Sequence, residues 1–195
     1  MKRDKKKWQE EMEASFKTNF HGPLNVARAF LPFMRAKATG TLVYVSSQAT
    51  WHVDVGAGAY SASKFALEGA IETLSKELSI LAPTPRVLIM EPGYFRTKVF
   101  TNVASVPARL PEFAEFNAAI RAGAEALPGT EPGDPEKAVA RIVELVKGDG
   151  MVGDKGQVPL RVVLWSDGWE RIRNKCLGVL EGLKGWEDVA RSADL

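Results

Sequence analysis

The sequence predicts an α/β fold in which about three buried parallel strands alternate with flanking helices. Two observations carry this expectation. Short runs rich in β-branched and apolar residues, Thr41–Val45, Arg86–Met90 and Pro159–Trp165, are separated by long stretches whose apolar residues recur every three or four positions. The middle run shows no polar alternation, as expected of a strand covered on both faces by helices.

In chain order, residues 1 to 7, MKRDKKK, form a basic cluster that reads as a solvated, frayed terminus rather than a polyanion contact. From Trp8 to Ala36 the pattern is helical, with Phe16, Phe20, Leu24, Ala27, Leu31 and Met34 on one face. Gly22-Pro23 interrupts it. Proline has no N–H, so the Asn19 carbonyl four residues earlier loses its helical donor and needs another partner, usually water. The strand Thr41–Val45 ends at Ser46 and Ser47, and a loop holding Gly56 and Gly58 follows. A helix then runs from about Tyr60 to Leu81, where Tyr60, Lys64, Leu67, Ile71, Leu74, Leu78 and Leu81 form one stripe. A second face, Ala62, Ala66, Gly69 and Thr73, is small enough for another helix to approach, within the chain or from a second copy.

Pro83 and Pro85 end that helix before the second strand. The turn after it, Glu91-Pro-Gly-Tyr-Phe-Arg-Thr97, falls on the same rim as Ser47, because ligands of open parallel sheets bind beyond the carboxyl ends of the strands. Residues 98–133 are irregular, with Phe100, Phe113 and Phe116 serving either packing or an apolar pocket. Asp134 reads as an N-cap with proline in the first turn, and Val139, Ile142, Val143 and Val146 as the buried face. After the third strand, helix resumes over 167–183 and the tail is polar.

Composition narrows the classes of function. The chain of 195 residues, 45% hydrophobic and 26% charged, suits one globular domain. A formal charge of +2 argues against a nucleic-acid or membrane-surface partner. No apolar run approaches the ~18–20 residues that span a bilayer, and no signal peptide is expected. The lone Cys176 fits a reducing, cytoplasmic setting, and two histidines with one cysteine indicate no metal site.

The chemistry concentrates at residues 41 to 64. Tyr60 and Lys64, four apart, share a helix face. An ammonium within ~4–6 Å of a phenol favours the phenolate and lowers its pKa. Tyr60 is thus a candidate proton donor and acceptor, with the Ser47 hydroxyl holding the oxygen that is protonated. The bland reading, a pair on an amphipathic rim, explains the stripe but not the serine upstream.

Serine at a strand end, tyrosine thirteen positions later and lysine four beyond, in VSSQA…GAGAYSASKFALEGAIETLSKEL, resemble the short-chain dehydrogenases/reductases of classical type. The resemblance runs through nearly the whole chain and implies a partial, Rossmann-type doubly wound parallel sheet. It implies an NAD(P)-dependent oxidoreductase moving hydride between a nicotinamide and an alcohol or carbonyl, with NADP or NAD as cofactor. The string T-N-x-x-G-P-L around Asn19 matches the family's kinked helix and makes Asn19 the fourth catalytic residue, anchoring a relay water, beside Ser47, Tyr60 and Lys64. Lys64 and Tyr60 would also touch the cofactor, and the P-G-x-x-x-T match carries over Pro92, Gly93 and Thr97 as contacts to its nicotinamide end. Family architecture further implies a homodimer through the 8–36 and 60–81 helices. It divides a single truncated domain, 1–195, into a basic tail (1–7), catalytic core (8–98), substrate lid (99–133), and C-terminal helices with the last strand (134–195).

The glycine-rich turn that cradles a pyrophosphate in such folds does not occur in this sequence. The chain is therefore expected to correspond to the C-terminal half of the family domain, leaving the 41–45 strand without one neighbour. The alternative is a non-catalytic fragment or docking partner that keeps the four residues but cannot bind the dinucleotide alone. A sugar-nucleotide epimerase or dehydratase fits the P-G-Y-F-R-T string poorly, and nucleic-acid binding through residues 2–7 comes last.

Overall fold

The structure is a computed structural model describing residues 2–81, 84–102 and 110–194, with the backbone alone for residues 2–7. Strands β1 (Thr41–Val45), β2 (Arg86–Pro92) and β3 (Arg161–Leu164) form a parallel sheet in the order β1-β2-β3. Val43 lies opposite Leu88, and Met90 opposite Val162.

Successive strand residues point to opposite faces, so an all-apolar strand needs a helix layer on each. Val87 and Ile89 of β2, with Tyr44 of β1, pack against Ala27 of α2 (Gly22–Ala36) and Leu67, Ile71 and Leu78 of α3 (Gly58–Leu81). Leu88 and Met90 pack on the other face against Leu145, Ile142 and Val146 of α5 (Pro135–Lys147). Helices thus cover both faces of β2, the doubly wound arrangement. Ile89 and Met90 are fully buried; each contributes roughly 1.5–3 kcal/mol by leaving water. β1 is paired along one edge only among the described residues, and Val45 at its end is 57% exposed.

Helix ends follow the sequence where chemistry dictates them. Asp134 caps α5, accepting from the Glu136 and Lys137 amides at 2.9 and 3.3 Å. Pro135 stands in the first turn and Gly148 ends the helix at φ 73°.

Elsewhere the chain departs from expectation. The first helix, α1, runs Lys2–Phe16, so the basic cluster is helical rather than frayed; lysine and arginine are good helix formers, and nothing there breaks a helix. In α5 Val139 and Val143 are exposed, and Ala138 and Leu145 take part in the core in their place. Residues 98–133 contain α4 (Ala114–Glu125) after short 3₁₀ turns; residues 103–109, like Pro83, lie outside the described residues. The third strand is shorter than expected, because Trp165 turns the backbone to φ 84° before α6 (Ser166–Gly185). A further short helix, α7 (Glu187–Arg191), precedes the polar tail.

Candidate active site

The helix break predicted at Gly22-Pro23 takes the form of a π-helical turn, Lys17–His21, between α1 and α2. The Gly22 amide reaches back five residues to the Lys17 carbonyl. Widening the helix is one way to accommodate a proline that cannot donate to Asn19, and such bulges recur at functional sites. The Asn19 side chain points across to α3, its Nδ2 donating to Ser63 Oγ at 3.0 Å, one residue before Lys64. Ser63 in turn donates to the Tyr60 carbonyl at 2.7 Å, so Asn19 is tied to the turn that carries Tyr60 and Lys64.

At the carboxyl end of β1, Ser47 takes an extended backbone (φ −166°) and caps the 3₁₀ turn Gln48–Thr50, its Oγ accepting from the Ala49 amide at 3.1 Å. Its hydroxyl also faces the Tyr60 phenol closely enough to favour the phenolate. Tyr60 is 38% exposed at this rim, while Ser47 is buried. Lys64 reaches over from the next turn of α3. Its ammonium lies 5.8 Å from the Tyr60 ring centroid and donates to the Val45 carbonyl at 2.9 Å. The three groups that the spacing singles out therefore meet.

The electrostatics correct the spacing argument in one respect. Burial pushes the Tyr60 phenol above its ordinary range, and the Ser47 hydroxyl draws it part of the way back. The Lys64 ammonium lies over the ring while donating to the Val45 carbonyl. Burial also lowers Lys64, opposed by the Glu68 carboxylate one turn along.

The turn after β2 stands on the same rim. Pro92 closes the strand opposite Leu164, and the Gly93 amide donates to the Leu164 carbonyl at 3.0 Å. Thr97 is exposed, its Oγ1 accepting from the Val99 amide at 3.3 Å. The chemistry of this donor set, a phenol, an ammonium and a half-exposed strand-to-loop turn, suits the nicotinamide and ribose end of a dinucleotide. Nothing among the described residues forms a glycine-rich turn between a strand and a helix for its pyrophosphate.

Three groups of residues that sequence reasoning missed surround this rim. Beneath the Ser47 turn, Glu68 accepts from Thr50 Oγ1 at 2.9 Å and from Arg161 Nε at 3.2 Å, while Glu91 accepts from Trp51 Nε1 at 2.9 Å. Arg161 also reaches Glu72 at 2.9 Å and Glu91 at 3.6 Å. Burial and the Glu68 carboxylate push Glu91 up to about 7, against the Trp51 hydrogen bond and the Arg161 charge. Beside the rim, Tyr94 donates its hydroxyl to Asp54 at 2.7 Å and lies under Arg171, 5.1 Å from its ring centroid. Burial first, then Asp54, pushes the Tyr94 phenol up to about 12. Asp167, at the start of α6, touches both flanking loops. The available sequence signals were a glutamate inside an apolar strand and a tyrosine within the P-G-Y-F-R-T turn.

The family model for the short chain dehydrogenase matches residues 2–107. An oxidoreductase, claN, of Passalora fulva is 40% identical over 98 residues, covering 50% of this chain and 44% of its own. A short-chain dehydrogenase structure from Streptomyces avermitilis superposes with a TM-score of 0.76 at 34% identity, covering 96% of this chain and 65% of that one. At the level of fold alone, a Burkholderia cenocepacia short chain dehydrogenase in complex with NADP superposes at 0.52 with 19% identity, covering 93% of this chain and 57% of that one. The chain thus spans less than half of the Passalora relative and about two thirds of the Streptomyces one.

Proposed function

Because this chain belongs to the short-chain dehydrogenase family, an oxidoreductase family, we propose that it carries the catalytic half of an NAD(P)-dependent alcohol or carbonyl oxidoreductase. The observation that carries the proposal is the Lys64 ammonium, held on the Val45 carbonyl at the mouth of the sheet and 5.8 Å from the Tyr60 ring centroid, on the rim where Ser47 stands. Ser47 holds the substrate oxygen, and Tyr60 gives or takes its proton. Lys64 keeps positive charge beside the phenol and, with Tyr60, contacts the ribose. Asn19 anchors the far end of the relay through Ser63. Pro92, Gly93 and Thr97 flank the nicotinamide. That group, NADP or NAD, supplies the hydride when bound. The complex of the Burkholderia neighbour with NADP supports this choice of cofactor class.

Val53, Val55, Phe113 and Phe116 are exposed, and Gly56 lies against Ile120 of α4, which favours an apolar substrate under a lid drawn from α4. The exposed Phe65 and Gly69 of α3 and Phe30 and Phe33 of α2 suit a homodimer through these helices. No helix among the described residues is long and apolar enough to cross a membrane, and the lone Cys176 accords with the cytoplasm.

The test is titration of the purified chain with NADH and NADPH, followed by turnover on aldehyde and alcohol panels. Tyr60→Phe is expected to lower turnover about 10²–10⁴-fold with unfolding unchanged, because the phenol is half-exposed; unchanged turnover overturns the assignment. The second reading, a non-catalytic docking fragment, draws on the lack of a glycine-rich turn in this sequence, since much of a dinucleotide's affinity comes from its non-reacting parts. Tight dinucleotide binding eliminates it.

A further inference from the structure

The loop that carries Ser47 and the turn that carries Gly93 come from different strands, and they touch directly at the exposed end of the loop, where the Tyr94 hydroxyl donates to Asp54 at 2.7 Å. At the Ser47 end of the loop, a side chain from a third element spans the two. Asp167 Oδ2 accepts from the Tyr94 amide at 3.3 Å and lies 3.5 Å from Gln48 Nε2. Gln48 is the residue after Ser47, and Tyr94 the residue after Gly93.

The fit at Gly93 is unusually close. A Cβ built on Gly93 would stand 2.1 Å from Asp167 Oδ1, and one built on Gly168 would stand 3.4 Å from the Gly93 Cα and amide nitrogen. Gly93 is not in the left-handed region, so backbone conformation does not require glycine there; the carboxylate does. Asp167 is delivered to this place by Trp165, a non-glycine residue at φ 84°, a conformation that persists only where its surroundings hold it. One helical turn on, Arg171 faces Tyr94 and Asp54, and so fastens the same turn to the 51–57 loop. The first two turns of α6 therefore grip both sides of the candidate cleft.

We propose that Asp167 is a positioning residue that fixes the distance between the Ser47 loop and the Gly93–Tyr94 turn, and that Gly93 is glycine to admit its carboxylate. This rests on the reading of the rim as the nicotinamide site. By accepting from the Tyr94 amide, Asp167 sets the path of the backbone along which the nicotinamide would lie. By touching Gln48, it ties that path to the hydroxyl that orients the substrate. Asp167 acts through these two loops and touches no reacting atom.

Two readouts test the proposal. Hydrogen exchange at the Tyr94 amide is followed in wild type, Asp167→Ala, Asp167→Asn and Gly93→Ala, with the Ile89 amide of β2 as internal control. Loss of a charged acceptor is expected to speed Tyr94 exchange about ten- to a hundredfold in Asp167→Ala and to leave Ile89 unchanged. Asparagine keeps an acceptor oxygen and should restore protection, adding a donor at the place of Oδ1, which is buried without one. Gly93→Ala should match Asp167→Ala, because its methyl displaces the carboxylate, and the double variant should be no worse than either single one. If Asp167→Ala does not fold, Gly93→Ala and Asp167→Asn carry the same measurement. Unchanged Tyr94 exchange in the folded Ala variants, or strictly multiplied effects in the double variant, overturns the proposal.

The second readout is NADH affinity, expected to weaken at least tenfold in Asp167→Ala and to recover in Asp167→Asn. Equal affinity in wild type and Asp167→Ala overturns the positioning role. A wild-type chain that binds no dinucleotide contradicts the nicotinamide reading, while the exchange experiment still decides whether Asp167 holds the turn.

Discussion

Glu91 is 1% exposed on the α3 side of the sheet, and its neighbours set one guanidinium, Arg161, against three carboxylates, Glu68, Glu72 and Glu91. Burial and Glu68 raise it from the model-peptide value of 4.5 to about 7. A carboxyl raised on folding binds its proton more tightly in the native state, so stability falls as pH rises between the two values. The full difference is on the order of 3 kcal/mol, and between pH 5 and pH 8 this group alone should cost roughly 2–3 kcal/mol. Glu72 works the other way, lowered to about 2 by hydrogen bonds from Lys76 and Arg161; its effect lies below pH 4.5, outside that window. Glu91→Gln keeps the shape, leaves an oxygen for Trp51 Nε1 and offers Glu68 a donor. Urea unfolding at pH 5 and pH 8 should show wild type losing stability relative to the glutamine variant across the interval, with Glu91→Gln the more stable protein at pH 8. Parallel pH profiles for the two proteins would refute the claim that burial raises Glu91 into this pH range.

Two other substitutions test the framework that holds the rim in place. Ile89→Ala removes a fully buried side chain from the contact of β2 with α2 and α3, and should lower unfolding free energy by about 2–5 kcal/mol; a loss below ~1 kcal/mol in denaturant titration would mean that this layer is loosely packed. Asp134→Ala removes the acceptor for the Glu136 and Lys137 amides and should cost about 1 kcal/mol, read as a shift in the urea midpoint with the slope unchanged.

What the sequence disclosed and what it withheld divide along a physical line. Strands and their buried faces were legible because burial on two sides forces unbroken apolar runs, as in Arg86–Met90, and the α5 start was legible because a capping aspartate acts within three residues. Tyr60 and Lys64 were legible for the same reason, since one helical turn brings them together. The acid cluster joins Glu68 to Arg161 across 93 positions, and Asp167 reaches Tyr94 across 73. Periodicity carries no information over such distances. It even misleads locally: the stripe on α3 favours Leu67, yet Glu68 beside it is buried as well, because a guanidinium from β3 waits there. Spacing fixes that an ammonium is near, but burial, which spacing does not report, raises the Tyr60 phenol. A residue chain that brings groups together through sheet crossovers, as α6 does when it lays Asp167 on Gly93, can thus set the geometry of a site while leaving in the sequence only an aspartate at a helix start.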